Sequence, residues 1–426
     1  MSDAIVELGS EPVIQPPVDR GPTTRRGAGV WVRHNLFRTP LDGVLTVVFG
    51  TISVVVLYKV FTFVFLTGRW EIIRVNLQLL MIGRFPAAHV LRLAVTVVGL
   101  AAWGGLIAGL ISGRRARAGS ARRLPLRRRV ADLIGRFWAL ALVVLYLLVL
   151  AGTPGPWIMV GLALAAALVT RIAGGWLGRR RPNRAITVGL ALLLVAIPLG
   201  LYLYVVTAVG FDEWGGFLLN LFLAVCSIVL CFPLGVLLAL GRRSGLPLVR
   251  WMCTVYIEII RGAPLFVLLL LANVALGFFV PTTLAPEKAT RAIVVFTLFT
   301  AAYMAEIVRG GLQSIPRGQI EAAKAVGLSP VRQTVYVVLP QALRNVIPAQ
   351  IGQLISLFKD TTLAGIAMGL FELLNVSSAI TAQEAFRGQG LIGETITFAA
   401  LMFWIVAFTM SRESQRLERR LGVGTR

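Results

Sequence analysis

Apolar runs long enough to cross a membrane, separated by short arginine-rich segments, recur along this whole chain and constrain its fold more than any single motif. A hydrocarbon core about 30 Å thick is crossed by roughly 20 apolar residues in an α-helix. Segments 41–66, 90–111, 135–151, 157–177, 186–210, 215–240, 256–280, 291–310, 346–370 and 391–411 fall in that range. Composition agrees: 57% of the 426 residues are hydrophobic and 14% charged, whereas about a quarter of the residues in soluble domains are charged. The mean hydropathy is +0.81. The expected fold class is all-α, a polytopic membrane protein with about ten transmembrane helices. The number falls to about eight if the third and fourth segments, joined by the tight turn from Gly152 to Pro156, form a hairpin that crosses only in part.

A net charge of +23 would point to nucleic acid in a soluble protein. In this chain the basic residues collect between apolar runs: before Leu41, from Ile111 to Gly135, from Gly178 to Ala185, from Gly241 to Arg250, from Gly311 to Asn345, and after Ser411. The alternate segments are short and neutral or mixed, and include Asp212 and Glu213. By the positive-inside rule every basic segment is cytoplasmic, so both termini are expected inside, with lipid around the spans and no nucleic-acid partner. The first 30 residues are polar and include Asp3, Glu7 and Glu11. They lack the basic start and apolar centre of a cleavable signal peptide, so the first span is expected to act as an uncleaved signal.

Cys226, Cys231 and Cys253 lie in or beside apolar runs without metal-ligand spacing, and His34 and His89 are isolated. They read as core and surface residues, with neither a disulfide framework nor a zinc site. The two halves of the chain differ in character. Up to about Gly210 the spans are built from Leu, Val and Ala, whereas from Trp214 onward polar and charged residues recur inside them. The expected organisation is a cytoplasmic tail at 1–40, an extra membrane region at 41–210, a core at 211–411 containing a cytoplasmic hairpin at 312–345, and a basic cytoplasmic tail at 412–426.

That hairpin is the most polar insert in the apolar half. Pro316 and Gly318 break the incoming helix, and 319–326 has helix-forming composition that stops at Gly327, a natural left-handed C-terminal residue. Ser329 and Pro330 form an N-cap and first-turn pair for a second helix through Val338, expected to end at Pro340. Ala322 and Ala323 present a low surface that lets another backbone approach, and Glu321 offers it a carboxylate. An amphipathic hairpin lying on lipid is the plainer alternative.

Glu321, Ala322 and Ala323, then Gly327, then Val337, Val338, Leu339 and Pro340 nine residues on, closely resemble the EAA signature of ABC importer permeases, with Val337 where the consensus has Ile. Neighbouring segments extend the likeness to the polar amino-acid branch: YIEIIRGAPL at 256–265, TAAYMAEIVRGGLQSIPRGQIEAAKAVGLS at 300–329, LPQALRNVIPAQIGQLISLFKDTTL at 339–363 and SRESQRLERRL at 411–421. WVRHNLF at 31–37 resembles the start of the long permease subunit of general L-amino acid importers. The resemblance covers roughly 214–421 and implies a type I permease core of five helices. It also implies a second, similar permease as partner, two cytoplasmic ATPase subunits and an extracytoplasmic amino-acid-binding protein, all at a bacterial inner membrane. Glu321, Ala322, Ala323, Gly327 and Pro340 would carry ATPase coupling. Leu268, Gly352, Thr362 and Asn220 depart from the wider family pattern, which bears on the cargo and not on the transporter class.

No Gly-Lys dipeptide occurs, so a Walker A phosphate loop is missing. The chain is therefore expected to be a transport subunit and not an enzyme, with no cofactor of its own and with ATP and Mg held by the partner ATPase. Charged residues within spans are costly and face protein or water. Glu258 with Arg261, and Glu306 with Arg309, stand three apart, a spacing suited to local ion pairing. Lys359 and Asp360 are adjacent, so they point about 100° apart and need different partners. These six form the gate or translocation-path set. A self-contained secondary transporter or channel is the competing reading; it should show internal repeats and no docking loop.

Overall fold

The computed structural model describes residues 28–117, 126–180, 196–275, 280 and 286–422. The N-terminal tail before residue 28, much of the basic segment after Ile111, the first part of the expected span 186–210 and the end of 256–280 lie outside the described residues. Among the described residues the secondary structure is helical, apart from one isolated bridge between Gly216 and Glu372. The chain divides into two compact units, Met1–Gly68 and Arg69–Arg426.

The first unit contains α1 (Ala28–Leu36) and α2 (Pro40–Thr62). Thr39 and Asp42 form a reciprocal capping box at the start of α2, and Pro40 takes the first-turn position, where its missing N–H has no partner to lose. No residue of α2 is buried, which suits a helix whose solvent is lipid.

The second unit begins with two short helices, α3 (Glu71–Val75) and α4 (Leu77–Ile82). It continues with α5 (Val90–Arg117), α6 (Leu126–Ala151), α7 (Pro154–Arg179) and α8 (Ala196–Val206). Helices α5 and α7 lie back to back through glycine. A β-carbon at Gly109 would lie 2.3 Å from the Arg171 carbonyl oxygen, and one at Gly174 would lie 2.5 Å from that of Leu106. Lipid gives no hydrophobic drive between helices, so close backbone approach through small residues supplies the packing. Gly109→Leu is expected to force the pair apart at a cost of about 1–3 kcal/mol. A lowered melting temperature of the detergent-solubilised chain, and loss of a cysteine crosslink engineered between α5 and α7, would register it.

The C-terminal half contains α9 (Gly216–Arg242), α10 (Pro247–Gly262), α11 (Leu265–Val274) and α12 (Lys288–Gln313). The polar hairpin consists of α13 (Arg317–Ala325), α14 (Pro330–Gln333), a π-helical turn Thr334–Val338 and α15 (Leu339–Asn345). Then come α16 (Ile347–Asp360), α17 (Leu363–Met368), α18 (Leu373–Ala379) and α19 (Ile392–Leu421). Helix α9 carries Pro233 in its interior, where the ring removes one backbone hydrogen bond and favours a bend. Three apolar clusters hold this half together. One joins Phe85, Val209, Phe211 and Trp214 to Leu219, Phe296 and Met368. A second joins Ile72, Ile73 and Leu80 to Phe358, Leu373 and Phe398. The third joins Ile257, Met304 and Val308 to the hairpin residues Val338 and Ala342.

Six described helices are long and apolar enough to cross a membrane: Pro40–Thr67, Ala87–Arg114, Pro154–Arg179, Gly216–Arg242, Lys288–Gln313 and Ile392–Arg419. The expected crossing at 256–280 is not one straight helix. Helices α10 and α11 meet at 100°, because Pro264 disfavours helical backbone at Ala263, which is extended at φ −89° and ψ 137°. The expected crossing at 346–370 is likewise divided, at Thr361 and Thr362, into α16 and α17. The expected crossing at 135–151 forms only a shorter apolar helix, Phe137–Ala151, after non-helical backbone at Phe137.

Candidate functional site

The polar hairpin is anchored by its own small core and by polar stitches. Ala323 is 5% exposed and Ile315 and Val338 are each 7% exposed. Gln341 Nε2 donates to Gln319 Oε1 at 3.3 Å, and Asn345 Nδ2 to Ser314 Oγ at 3.1 Å. At the corner Gly327 has φ +78°, as its sequence position predicts. Its N–H bonds the Lys324 carbonyl at 3.0 Å, and the Leu328 N–H bonds that of Ala323 at 3.2 Å. Those two bonds are the Schellman pattern that closes a helix through a left-handed residue.

Two details of the expected hairpin are corrected. Ser329 occupies the N-cap position and Pro330 the first turn, but the serine side chain makes no capping bond. Pro340 does not end the second helix. The wider π-turn over Thr334–Val338 runs into α15 with Pro340 in its first turn, where the missing N–H and the bulky ring are accommodated. Glu321, Ala322, Gly327 and Pro340 face outward, whereas Ala323 faces the hairpin core. Val326, Val331 and Tyr336 are 76%, 72% and 71% exposed beside them. These exposed apolar side chains share the polar hairpin with the outward-facing Glu321, Ala322 and Gly327.

Next to the hairpin base lies an ion cluster. Glu306 of α12 pairs with Arg309 one turn on, with Arg242 of α9 at 3.2 Å and with Arg261 of α10 at 3.7 Å. Arg242 also binds Glu258 at 2.8 Å. The expected pair of Glu306 with Arg309 is present. The expected pair of Glu258 with Arg261 is not, because Arg242, at the end of α9, captures Glu258 while Arg261 turns to Glu306. Arg261 also lies over the Tyr303 ring, 5.5 Å from its centroid. Sequence reasoning treated Arg242 as part of an orientation signal and missed it as the hub that ties α9 to α10 and α12.

The exposure of the two carboxylates sets their weights. Glu258 is 57% exposed and Glu306 24%. Glu258→Ala is expected to cost less than about 1 kcal/mol, as solvated pairs do. Glu306→Ala takes the carboxylate from Arg261 and Arg309 and leaves Arg242 with Glu258 alone, and is expected to cost about 2–3 kcal/mol, short of the penalty for a fully buried pair. Thermal unfolding of both variants in detergent compares them directly.

Lys359 and Asp360 end α16 at the break before α17, with Lys359 exposed and Asp360 half-buried, so they do point into different surroundings. Helices α11 and α17, the second pieces of the two divided spans, pack on one another. Asn273 Nδ2 donates to the Ala367 carbonyl at 3.2 Å, and Arg291 to the Asn273 carbonyl at 3.2 Å. Broken helices persist at membrane depth only when they are covered by protein or line water.

Behind the break is a buried polar knot that the sequence reading did not assemble. Asn220 of α9, Thr361 and Glu372 are each 0% exposed. Asn220 Nδ2 donates to Thr361 Oγ1 at 3.1 Å and Glu372 Oε2 at 3.2 Å, and Asn220 Oδ1 accepts from the Leu373 N–H at 3.0 Å. The Glu372 carboxylate caps α18, accepting the N–H groups of Leu374 at 2.9 Å and Asn375 at 2.8 Å. A lone glutamate inside the apolar stretch 363–380 was the available signal.

The projecting hairpin, the charged cluster at its base and the two divided spans define a membrane permease subunit. Residues 231–423 match the family of binding-protein-dependent transport system inner membrane components. The permease protein BztC of a glutamate/glutamine/aspartate/asparagine transport system in Rhodobacter capsulatus is 34% identical, over 94% of this chain and 95% of its own length. The chain belongs to this family of inner-membrane transport components. The inner membrane amino-acid ABC transporter permease YhdY of Escherichia coli is 44% identical over 50% of this chain and 57% of its own length. The probable glutamine ABC transporter permease GlnP of Bacillus subtilis is 37% identical over 49% and 92%. A crystal structure of an amino acid ABC transporter with histidines overlaps 57% of this chain and all of its own at 24% identity and a TM-score of 0.43, too loose to add to the assignment.

Proposed function

We propose that this permease subunit forms half of the translocation path of an ATP-driven amino-acid importer and receives the stroke of a separate ATPase on its polar hairpin. One observation carries the reading: Glu321, Ala322 and Gly327 are presented outward, beside uncovered Val326, Val331 and Tyr336, on a hairpin whose base is fixed in the core. Two ATPase subunits hold ATP and Mg, since the chain has no Walker A loop of its own. A second, similar permease completes the path, and an extracytoplasmic binding protein delivers the cargo. The hairpin and both termini lie on the cytoplasmic side of the inner membrane in this reading, which the basic segments support. An amino-acid cargo is supported by the names of BztC, YhdY and GlnP.

In this reading Arg242, Glu258, Arg261, Glu306 and Arg309 brace the cytoplasmic end of the path, and Lys359 and Asp360 sit where the divided helix α16–α17 opens toward it. The secondary-transporter alternative is disfavoured by the family membership. Reconstitution with the ATPase and the second permease tests the reading. ATP hydrolysis should rise when a binding protein loaded with amino acid is added, and uptake that persists without any ATPase subunit would overturn it.

A further inference from the structure

The extra membrane region lies outside the family match, which begins at Cys231, and it is poor in acids. Between Glu71 and Asp212 the chain has a single acidic residue, Asp132, against a long series of arginines. In the C-terminal half the arginines are neutralised from within: Arg242, Arg261 and Arg309 share Glu258 and Glu306, and Arg416 has Glu413. Among the described residues no carboxylate pairs with Arg114, Arg117, Arg179 or Arg180.

Those four arginines stand together at one end of the α5–α7 pair. A β-carbon at Gly113 would lie 2.4 Å from the Gly175 carbonyl oxygen, and one at Gly178 would lie 2.5 Å from that of Leu110 and 3.1 Å from the Arg114 nitrogen. The last turns of the two helices therefore meet backbone to backbone. Arg114 and Arg117 are one turn apart on α5, Arg179 and Arg180 close α7, and all four are exposed. Two contacts hold the group in place. Arg117 Nη1 donates to the Arg180 carbonyl at 2.6 Å, and the Arg180 guanidinium lies over the Trp176 ring, 3.6 Å from its centroid. Like charges gathered in one patch repel each other and draw in an anion.

Deeper in the membrane α7 continues the patch with an apolar track. Trp176, Ile172 and Leu168, at successive intervals of four, are 57%, 66% and 61% exposed, and residues so spaced form a ridge along a helix. They lie within the span Pro154–Arg179, at a depth that a soluble polyanion such as RNA does not reach. Arginine, then tryptophan, then an aliphatic row follow the order of phosphate, glycerol and acyl chain in a phospholipid.

Helix α5 fixes the membrane face on which this end emerges. Phe85, just before it, packs edge-on against Trp214 at 6.0 Å, beside the start of α9, and Arg92 in its first turn reaches the Tyr204 carbonyl at 3.4 Å. Helix α9 ends at Arg242 in the ion cluster beside the hairpin, and helices of 28 and 27 residues each span about 40 Å. The arginine end of α5 and the hairpin therefore share one face, which the reading above makes cytoplasmic. Anionic lipid gives that leaflet its negative surface potential.

We propose that the arginine end of the α5–α7 pair is a binding site for an anionic glycerophospholipid, with its phosphate held by Arg114, Arg117, Arg179 and Arg180 and an acyl chain along Trp176, Ile172 and Leu168. The extension thereby ties the permease to the anionic lipid of its own membrane.

The test uses the full chain purified in detergent and titrated with fluorescently labelled phosphatidylglycerol, with anisotropy as the readout. Phosphatidylglycerol should bind at least about tenfold more tightly than phosphatidylcholine, and Arg117→Gln combined with Arg180→Gln should remove at least about tenfold of that affinity. Arg243→Gln combined with Arg250→Gln removes the same charge from exposed positions at the end of α9 and in α10, and should change the affinity less than about twofold. Trp176→Leu keeps the apolar row but frees Arg180, and should weaken binding about threefold; it decides alone if the Arg117 and Arg180 variant melts early. Unchanged affinity in the deciding variant, or an equal loss in the Arg243 and Arg250 control, overturns the site and leaves only diffuse positive charge. Displacement of the labelled lipid by inorganic phosphate or by an RNA oligonucleotide at lower concentration than by unlabelled phosphatidylglycerol assigns the arginines to a soluble anion and also overturns it. None of these readouts involves the ATPase or the cargo, so the site and the importer reading stand or fall separately.

Discussion

Replacing Gly327 by aspartate is expected to leave the chain inserted and folded while ATP-driven uptake falls at least about tenfold, the change produced by losing about 1.4 kcal/mol of docking free energy. Three facts make this a clean probe of the hairpin. Gly327 sits at φ +78°, and aspartate is among the few non-glycine residues that accept left-handed backbone. Beyond its immediate chain neighbours, a β-carbon there would meet no atom of the described residues within 4 Å. The corner is exposed, so the new carboxylate remains solvated until a partner covers it. Any large loss must then arise where another protein meets the corner. Gly327→Asn separates charge from bulk: it should lower uptake less than aspartate does if repulsion or desolvation of the carboxylate dominates. Normal uptake and normal ATPase co-purification in the aspartate variant would remove the hairpin from the coupling path.

Glu372→Ala is expected to destabilise the fold by about 2–4 kcal/mol, because it uncaps the Leu374 and Asn375 N–H groups and removes one of the two acceptors of buried Asn220 Nδ2. The carboxylate accepts from Leu374 N–H, Asn375 N–H and Asn220 Nδ2. Glu372→Gln retains one carbonyl acceptor and nearly the same volume, so it should lose less. A β-carbon at Gly365 would lie 2.4 Å from Glu372 Oε1, so the α17 backbone also rests against this group, and Gly365→Ala should compromise the same knot. Thermal unfolding in detergent ranks the three variants. If Glu372→Ala melts with the unaltered chain, the knot is not a principal tie among α9, α16 and α18.

The helical class and the hairpin corner could be read from sequence because each depends on local chemistry. Apolar run length decides whether a helix can live in lipid, and Gly327 is where a left-handed residue must fall after 319–326. The C-terminal permease core was recognisable for a different reason, since its motifs recur in order. Features set by distant partners were not legible. Glu258 and Arg261 have the right spacing to pair, but Arg242 approaches from another helix and wins Glu258. Pro340 ordinarily stops a helix, but a π-turn ahead of it supplied the missing room. The packing of residues 69–86 was not legible, because the faces that bury Ile72, Ile73 and Leu80 belong to residues near 217, 358 and 398. The repeats Gly105, Gly109 and Gly113 were open to reading as a close-packing face, a local signal the composition of the first half concealed.

Helix α9 has a mechanical consequence. At one end its Gly216 N–H is bonded to the Phe371 carbonyl at 2.8 Å, and at the other Arg242 grips two carboxylates. Pro233 lies in between, where a helix yields most readily. About 26 Å of rod before such a fulcrum and about 14 Å after it turn a 10° swing into displacements of about 4–5 Å at the Gly216 tip and about 2 Å at the Arg242 tip. Movements of that size compare with the hydrogen bonds at the two ends, so the rod pivots by straining or exchanging partners at its tips, and the two faces of the membrane are geared to each other through a single, unequal lever arm.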